Sequence, residues 1–316
     1  MEITIRTMEK KDVEAVRQLI PAVFAHLFAQ ETGRPQHLPL RLEKEILFYL
    51  GNNPEGCFLA ATAKGKVMGC CFGHIWGETG WLGPMVVAPS YQGRGIGSRL
   101  LERGTYYLEN SGCKVIGLET MPQTTANVGL YLRNNYYPKN LRIRFYKNMD
   151  SHQIKTDGRF MLPSTWSQAS AFLEDVKRIS REVDPFIDYQ KEFAGVYQHD
   201  LGKAIFMKEG HTVRGFAIYH EIPATGRIMI KALAAAPKEI EEEEFFLGMM
   251  AGMESMLSSK SFRQIVAPVY GEHELVCKVL LENGYQVQHA GVRMFYKKGK
   301  NKKDLSRVIH LAQWSG

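Results

Sequence analysis

Arg144-Phe-Tyr-Lys147 returns as Met294-Phe-Tyr-Lys297, 150 residues further along the chain. Val87-Ala-Pro89 has a counterpart in Ala235-Ala-Pro237 at an offset of 148, and Asn135-Tyr136 has one in Gly284-Tyr285 at 149. A recurring offset constrains the fold more than any other feature of this sequence: the second half repeats the tail of the first half's pattern, which argues for a duplicated domain. With 316 residues there is chain enough for two cores. The polar stretch 150–158 is the expected joint, giving domains over 1–150 and 158–316.

Within the first half the hydrophobic period alternates between that of strands and that of helices. A strand over 2–7 precedes a helix over about 11–28, with Val13, Val16, Ile20 and Val23 on one face. Gly33 and Pro35 break that helix, and a second follows near 42–50. Strands at 57–63 and 66–75 meet in a turn at Lys64-Gly65, and a third runs over 81–87. Ile96, Leu100 and Leu108 then mark a helix ending near Gly112, followed by a strand (115–119), a short helix (126–133) and a strand (141–146). The order predicts an α/β (α+β) unit: a mixed, mostly antiparallel twisted sheet flanked by helices, and two such units in the chain.

Between the 81–87 strand and the next helix stands Gln92-Gly-Arg-Gly-Ile-Gly-Ser98. Amides at a helix start lack intrahelical acceptors, and the helix dipole places partial positive charge there. Glycines clear the approach to them, and Arg94 adds a formal charge, so a phosphate group is the expected guest. A tight turn that merely needs positive φ is the plainer explanation for one glycine, less so for three. A Walker loop is excluded, since no Gly-Lys-Ser/Thr follows. Gly93 and Gly95 fit a dinucleotide fingerprint with Glu119 at the ribose position, but its third glycine is Ser98 and no run of βαβ units surrounds it.

In its strand-to-helix context, Gln92-x-x-Gly95-x-Gly97 resembles the acyl-CoA pyrophosphate loop of the GNAT acyltransferase superfamily, from the first strand to about residue 148. The resemblance implies two GNAT-like domains. It implies that Met85, Val86 and Val87 pair with the pantetheine arm, and that Gln92, Gly93, Arg94, Gly95, Ile96, Gly97 and Ser98 hold the pyrophosphate of acetyl-CoA. Leu130-Tyr131 followed by Asn135-Tyr136 is similar to the family's Leu-Tyr and Gly-Phe pairs, with Asn135 standing in for the helix-ending glycine. Thr124 departs from the usual asparagine. Tyr131 is then the expected proton donor to the leaving thiolate. In the second half the aligned residues are Ile240, Glu243 and Phe245 in the loop and Leu280 at the tyrosine, so that half is expected to lack the cofactor site and to shape the acceptor pocket or a dimer interface.

Attack on a thioester needs a neutral amine, whose pKa lies near ~10.4, so removing its proton is the harder task. Glu78, Glu119 and His74 are the candidate bases. The loop 30–36, with Glu31, His26 and His37, is the expected acceptor side. The expected reaction is transfer of acetyl from acetyl-CoA to a primary amine on a small molecule or a protein, and the rival is a protein that binds acyl-CoA to sense it or to scaffold a partner without turnover. A homodimer fits either. Composition narrows the rest. Five scattered cysteines with no C-x-x-C argue against a disulfide framework or a metal site. The basic run 297–303 reads as a solvated tail, not a nucleic-acid module. With no apolar run of ~20 residues and no signal-peptide core, a cytoplasmic protein without membrane contact is expected.

Overall fold

The computed structural model describes residues 3–35, 37–149, 158–235, 242–258, 262–297 and 310–312. The chain divides into two compact units. Among the described residues, the first holds 3–138 and 294–297, and the second holds the rest.

Unit 1 runs β1 (Ile3–Thr7), α1 (Val13–Thr32), α2 (Glu43–Asn52), β2 (Cys57–Thr62), β3 (Val67–Trp76), β4 (Thr79–Val87), α3 (Ile96–Asn110), β5 (Val115–Thr120) and α4 (Thr125–Arg133). Its strands lie in the order β1-β2-β3-β4-β5, antiparallel except for the parallel pair β4–β5. Val13, Val16, Ile20 and Val23 are all buried, as their spacing requires, although α1 continues to Thr32 before Gly33 ends it in the left-handed region. The paired carboxylate of Asp12 receives both terminal nitrogens of Arg6 at 2.7 Å, which ties the start of α1 to β1. On α3, Ile96, Leu100, Leu101 and Leu108 face the sheet, and Gly104 lets the helix sit close: a Cβ there would lie 2.7 Å from Leu82 Cδ2.

β6 (Tyr136–Asn148) leads into unit 2: β7 (Phe160–Met161), α5 (Trp166–Ala169), α6 (Leu173–Val183), α7 (Gln190–Gln198), β8 (Gly202–Glu209), β9 (Thr212–Ile222), β10 (Arg227–Ala235), α8 (Glu242–Ser258), β11 (Gln264–Tyr270), α9 (Glu274–Glu282), β12 (Gln286–Tyr296) and β13 (His310–Ala312). From β8 on, the order of elements repeats that of β2 to α4, as the offset in the sequence predicts. Both α4 and α9 end two residues before a left-handed residue, Asn135 at φ 64° and Gly284 at φ 81°. Asparagine does stand in for glycine at this helix end. Alanine there is expected to cost about 1 kcal/mol, whereas Asn135→Gly should stay within about 0.5 kcal/mol of the parent in urea unfolding.

Two segments are grouped otherwise than a simple 1–150 and 158–316 division. From Lys139 onward β6 belongs to unit 2, where it pairs antiparallel with β11, Phe145 opposite Ala267. Residues 294–297 belong to unit 1: Phe295 lies edge-on to Trp81 at 5.7 Å, and the amide of Lys297 donates to the Asn135 carbonyl at 2.9 Å. Each half thus contributes its copy of the repeated Phe-Tyr-Lys segment to the unit built by the other half. The Tyr296 ring lies tilted against that of Tyr136 at 5.3 Å, and the Tyr136 hydroxyl meets Thr105 Oγ1 at 2.8 Å. Lys147 takes the matching place in unit 2, over the Tyr285 ring and paired at 2.7 Å with Glu254, which also accepts the Tyr285 hydroxyl. The expected joint falls on residues 150–157, and most of the basic run on 298–303, both outside the described residues. No helix among the described residues is long and apolar enough to cross a membrane. Cys57, Cys70 and Cys71 are buried free thiols, and Cys113 and Cys277 are half-buried free thiols.

Candidate active site

The sheet of unit 1 opens on one side of β4. β3 pairs with β4 along its whole length, from Thr79 to Val87. β5 pairs only from Thr79 to Leu82, and beyond Leu118 it has left β4. Register slips at the same level, between Cys71 and Gly73, and Pro84 has no N–H to offer a ladder. From Gly83 to Val87 the edge that faced β5 carries backbone polar groups with no strand partner among the described residues, and buried or half-buried polar backbone requires one. Met85, Val86 and Val87, the expected donor strand, form this stretch.

The glycine loop closes one end of the opening. Gly93 and Gly95 take φ values of 74° and 76°, and a Cβ on either would meet open space, so the backbone faces outward unobstructed. The first intrahelical bond of α3 runs from Arg99 N–H to the Gly95 carbonyl, leaving the amides of Ile96, Gly97 and Ser98 ahead of it. Gln92 folds back to donate from Nε2 to the Val87 carbonyl at 3.0 Å, fixing the loop to the strand end. Arg94 is exposed, donating to the Ser90 carbonyl at 3.3 Å. Gly97 differs from its neighbours. Its φ is helical, and its Cβ would lie 3.3 Å from Leu130 Cδ2, so it admits α4. Asn134 Nδ2 donates to Ser98 Oγ at 3.3 Å across the same contact.

That docking places Tyr131 on the α3 side of the sheet. Tyr131 is 6 % exposed, and burial, with the Cys71 thiol nearby, pushes its pKa far above the ordinary tyrosine value near 10. Such a phenol keeps its proton through the neutral range and holds it for a stronger base.

The three candidate bases lie in three different settings. Glu119 follows Leu118 directly, at the lip where β5 parts from β4, and is half-buried. His74 is buried on β3, its Nε2 2.6 Å from the Gly83 carbonyl at the start of the opening. Glu78 stands before the far end of β4, ion-paired with Lys114, while its carbonyl accepts the amides of Lys114 and Val115. Nine residues of extended chain, about 30 Å, separate it from Val87. The structure therefore gathers the loop, the donor strand, Tyr131, Glu119 and His74, and leaves Glu78 apart.

One group escaped the sequence reading. Tyr49 on α2 meets the His74 ring edge-on at 4.5 Å and donates its hydroxyl to Glu45 Oε1 at 3.1 Å, and Arg41 lies 3.3 Å from the same oxygen. The i, i+4 spacing of Arg41, Glu45 and Tyr49 was the available signal. Of the expected acceptor loop, residues to Thr32 continue α1, His26 and His37 are exposed, and Gln36 is outside the described residues. Among the described residues no three His, Cys, Asp or Glu side chains are grouped to hold a metal ion.

Residues 20–136 match the model of the acetyltransferase (GNAT) family. Over those residues the chain is similar to the GNAT acetyltransferases. Over 107 residues it is 34% identical to the N-alpha-acetyltransferase MAK3 of Arabidopsis thaliana, covering 32% of this chain and 56% of that one. Over 94 residues it is 31% identical to acetyltransferase ECA0875 of Pectobacterium atrosepticum, covering 30% and 66%. The chain thus spans less than two thirds of the curated relatives it matches. Two solved structures share the fold over nearly all of it: a GCN5-related N-acetyltransferase from Sphaerobacter thermophilus (TM-score 0.66, 13% identity, 96% of this chain and 98% of that one) and a tandem GNAT protein from the clavulanic acid biosynthesis pathway (0.60, 11%, 95% and 100%). The two-domain GNAT fold is therefore that of this chain, and the opening beside β4 lies within the residues that match the family model.

Proposed function

We propose that this GNAT protein transfers an acyl group, acetyl by default, from acyl-CoA to a primary amine in unit 1. The observation that carries the reading is the unpaired edge from Gly83 to Val87, bounded by the glycine loop at one end and Tyr131 beside it. The pantetheine amides would pair with Met85–Val87 as an added strand does, and the amides of residues 92–98 would hold the pyrophosphate. The amine nitrogen attacks the thioester carbonyl, and the C–S bond breaks. Glu119, directly or through a water, takes the amine proton, and the departing thiolate takes the Tyr131 proton, which solvent replaces. His74 holds the Gly83 carbonyl at the level where the thioester would lie. The first domain, running to residue 138 and completed by 294–297, is the acyl-CoA-binding part. The second half, with Leu280 buried where Tyr131 stands and Phe245 where Gly97 stands, has no such site.

The acceptor is an amine on a small molecule or on a protein, in a cytoplasmic setting. The name of the plant relative points to peptide N-termini, and the bacterial relatives' names leave the acceptor open. Thiol release from acetyl-CoA, measured against peptide N-termini, polyamines and amino acids, decides among them. Release driven by one class at least tenfold above the rest is expected. Tight acetyl-CoA binding with no release on any class would favour a sensor or scaffold, and no binding would overturn the reading.

A further inference from the structure

Unit 2 has the same break in its sheet, and there the break is filled. β9 pairs with β10 along one edge from Arg227 to Ala235. On the other edge β11 pairs only from Arg227 to Met229, in parallel. Shifted by the repeat offset of 148, Met229 falls on Trp81, one position before β4 and β5 part. Both strands are then irregular: Lys231 is looped out between Ile230 and Ala232, at the position of Gly83. Beyond it β13 lies antiparallel on β10, with Ala232 opposite Ala312, Leu233 opposite Leu311 and Ala234 opposite His310. Since β9 holds one edge over those residues, β13 has the edge that β11 has left, and it packs against β11 too. The buried Arg293 secures it, donating to the Ala312 carbonyl while its guanidinium lies 4.1 Å from the Tyr270 ring of β11. Residues 232–234 align with Pro84, Met85 and Val86.

We propose that His310–Ala312 is a built-in occupant of the second unit's cofactor groove. The chain's own backbone takes the hydrogen bonds that, in unit 1, the pantetheine arm of acyl-CoA would take. Both ligands are extended and present amide N–H and C=O groups along a strand edge, so they exclude each other. The tail is also tethered, at an effective concentration of order mM, and need not be recruited from solution. One acyl-CoA per chain follows. That this groove corresponds to a cofactor groove rests on the function proposed for unit 1, whereas the strand pairing does not, and the two are read separately.

Directly opposed residues of antiparallel strands have Cα atoms ~4.5–5.5 Å apart, within disulfide reach. The full-length chain carrying Leu233→Cys and Leu311→Cys should therefore form an internal cross-link on mild oxidation, and Leu233→Cys alone should not. Ending the chain at residue 309 should speed hydrogen exchange of amides 231–235 by ~100-fold, and a synthetic peptide of residues 306–316 should restore protection where acetyl-CoA does not. Titration of the full-length chain should find one acetyl-CoA site. Absence of the cross-link, exchange unchanged by the truncation, or a second acetyl-CoA site would overturn the proposal. If the shortened chain does not fold, the cross-link and the titration decide. Zero acetyl-CoA sites alongside a formed cross-link would instead sink the reading of unit 1.

Discussion

Tyr131→Phe is expected to lower kcat by ~10² or more while leaving the affinity for acetyl-CoA unchanged. The substitution removes one oxygen from a side chain whose ring is packed beneath α4, so the fold has little reason to respond. Among the described residues nothing accepts or donates to that hydroxyl, and the causes of its raised pKa are burial and the Cys71 thiol alone. The sign of the shift matters for the pH profile. A phenol whose pKa is raised stays protonated across the whole range in which an amine becomes neutral. The alkaline limb of wild-type activity should therefore show no loss from ionisation of Tyr131 up to pH ~10, its unperturbed pKa. Equal turnover in the two proteins would make Tyr131 a core residue and leave the thiolate to depart without a protein acid.

Gly95→Val should weaken acetyl-CoA binding by about a hundredfold. A left-handed conformation costs an ordinary L-residue ~1–2 kcal/mol, and a β-branched one more. Any shift that relieves this strain swings the neighbouring amides out of line, and each charge-assisted bond lost to the pyrophosphate costs ~1.5–3 kcal/mol. Together these exceed the ~2.7 kcal/mol that a factor of a hundred represents. The change should appear in Kd by calorimetry, with α3 intact by circular dichroism, since the space around Gly95 is open. Gly97→Val makes a useful contrast. Its backbone is helical, so its effect should come through α4 and Leu130, and therefore in kcat more than in acetyl-CoA affinity.

The glycine loop was legible in the sequence because its requirement is local: positive φ and bare amides are properties of a few adjacent residues. Its three glycines nonetheless split into two jobs, and only packing against Leu130 distinguishes Gly97 from Gly93 and Gly95. The helix faces and the left-handed Asn135 were legible for the same local reason. The parting of β4 from β5 was not, because it depends on where two strands stop sharing a register. The group Arg41, Glu45, Tyr49 and His74 was hidden likewise, since α2 meets β3 only after the chain has folded back. Glu78 and Glu119 look alike in sequence, one just before a strand and one near a strand's end, and it is the parallel register of β4 and β5 that sets them about five residues apart, Glu119 at the level of Gly83. The repeat told which segments correspond, but not which unit each would join.

That last point bears on synthesis. Phe295, which lies against Trp81, leaves the ribosome more than two hundred residues after it. At ~5–20 residues per second the first unit waits on the order of 10–40 s for the segment that completes it. During that interval the ring of Trp81 lacks its edge-on neighbour, while Lys139–Asn148 waits for β11. Neither unit is finished by its own half of the message, so a ribosome that stops at the expected joint releases a chain with one unit short of its last segment and the other reduced to a single strand.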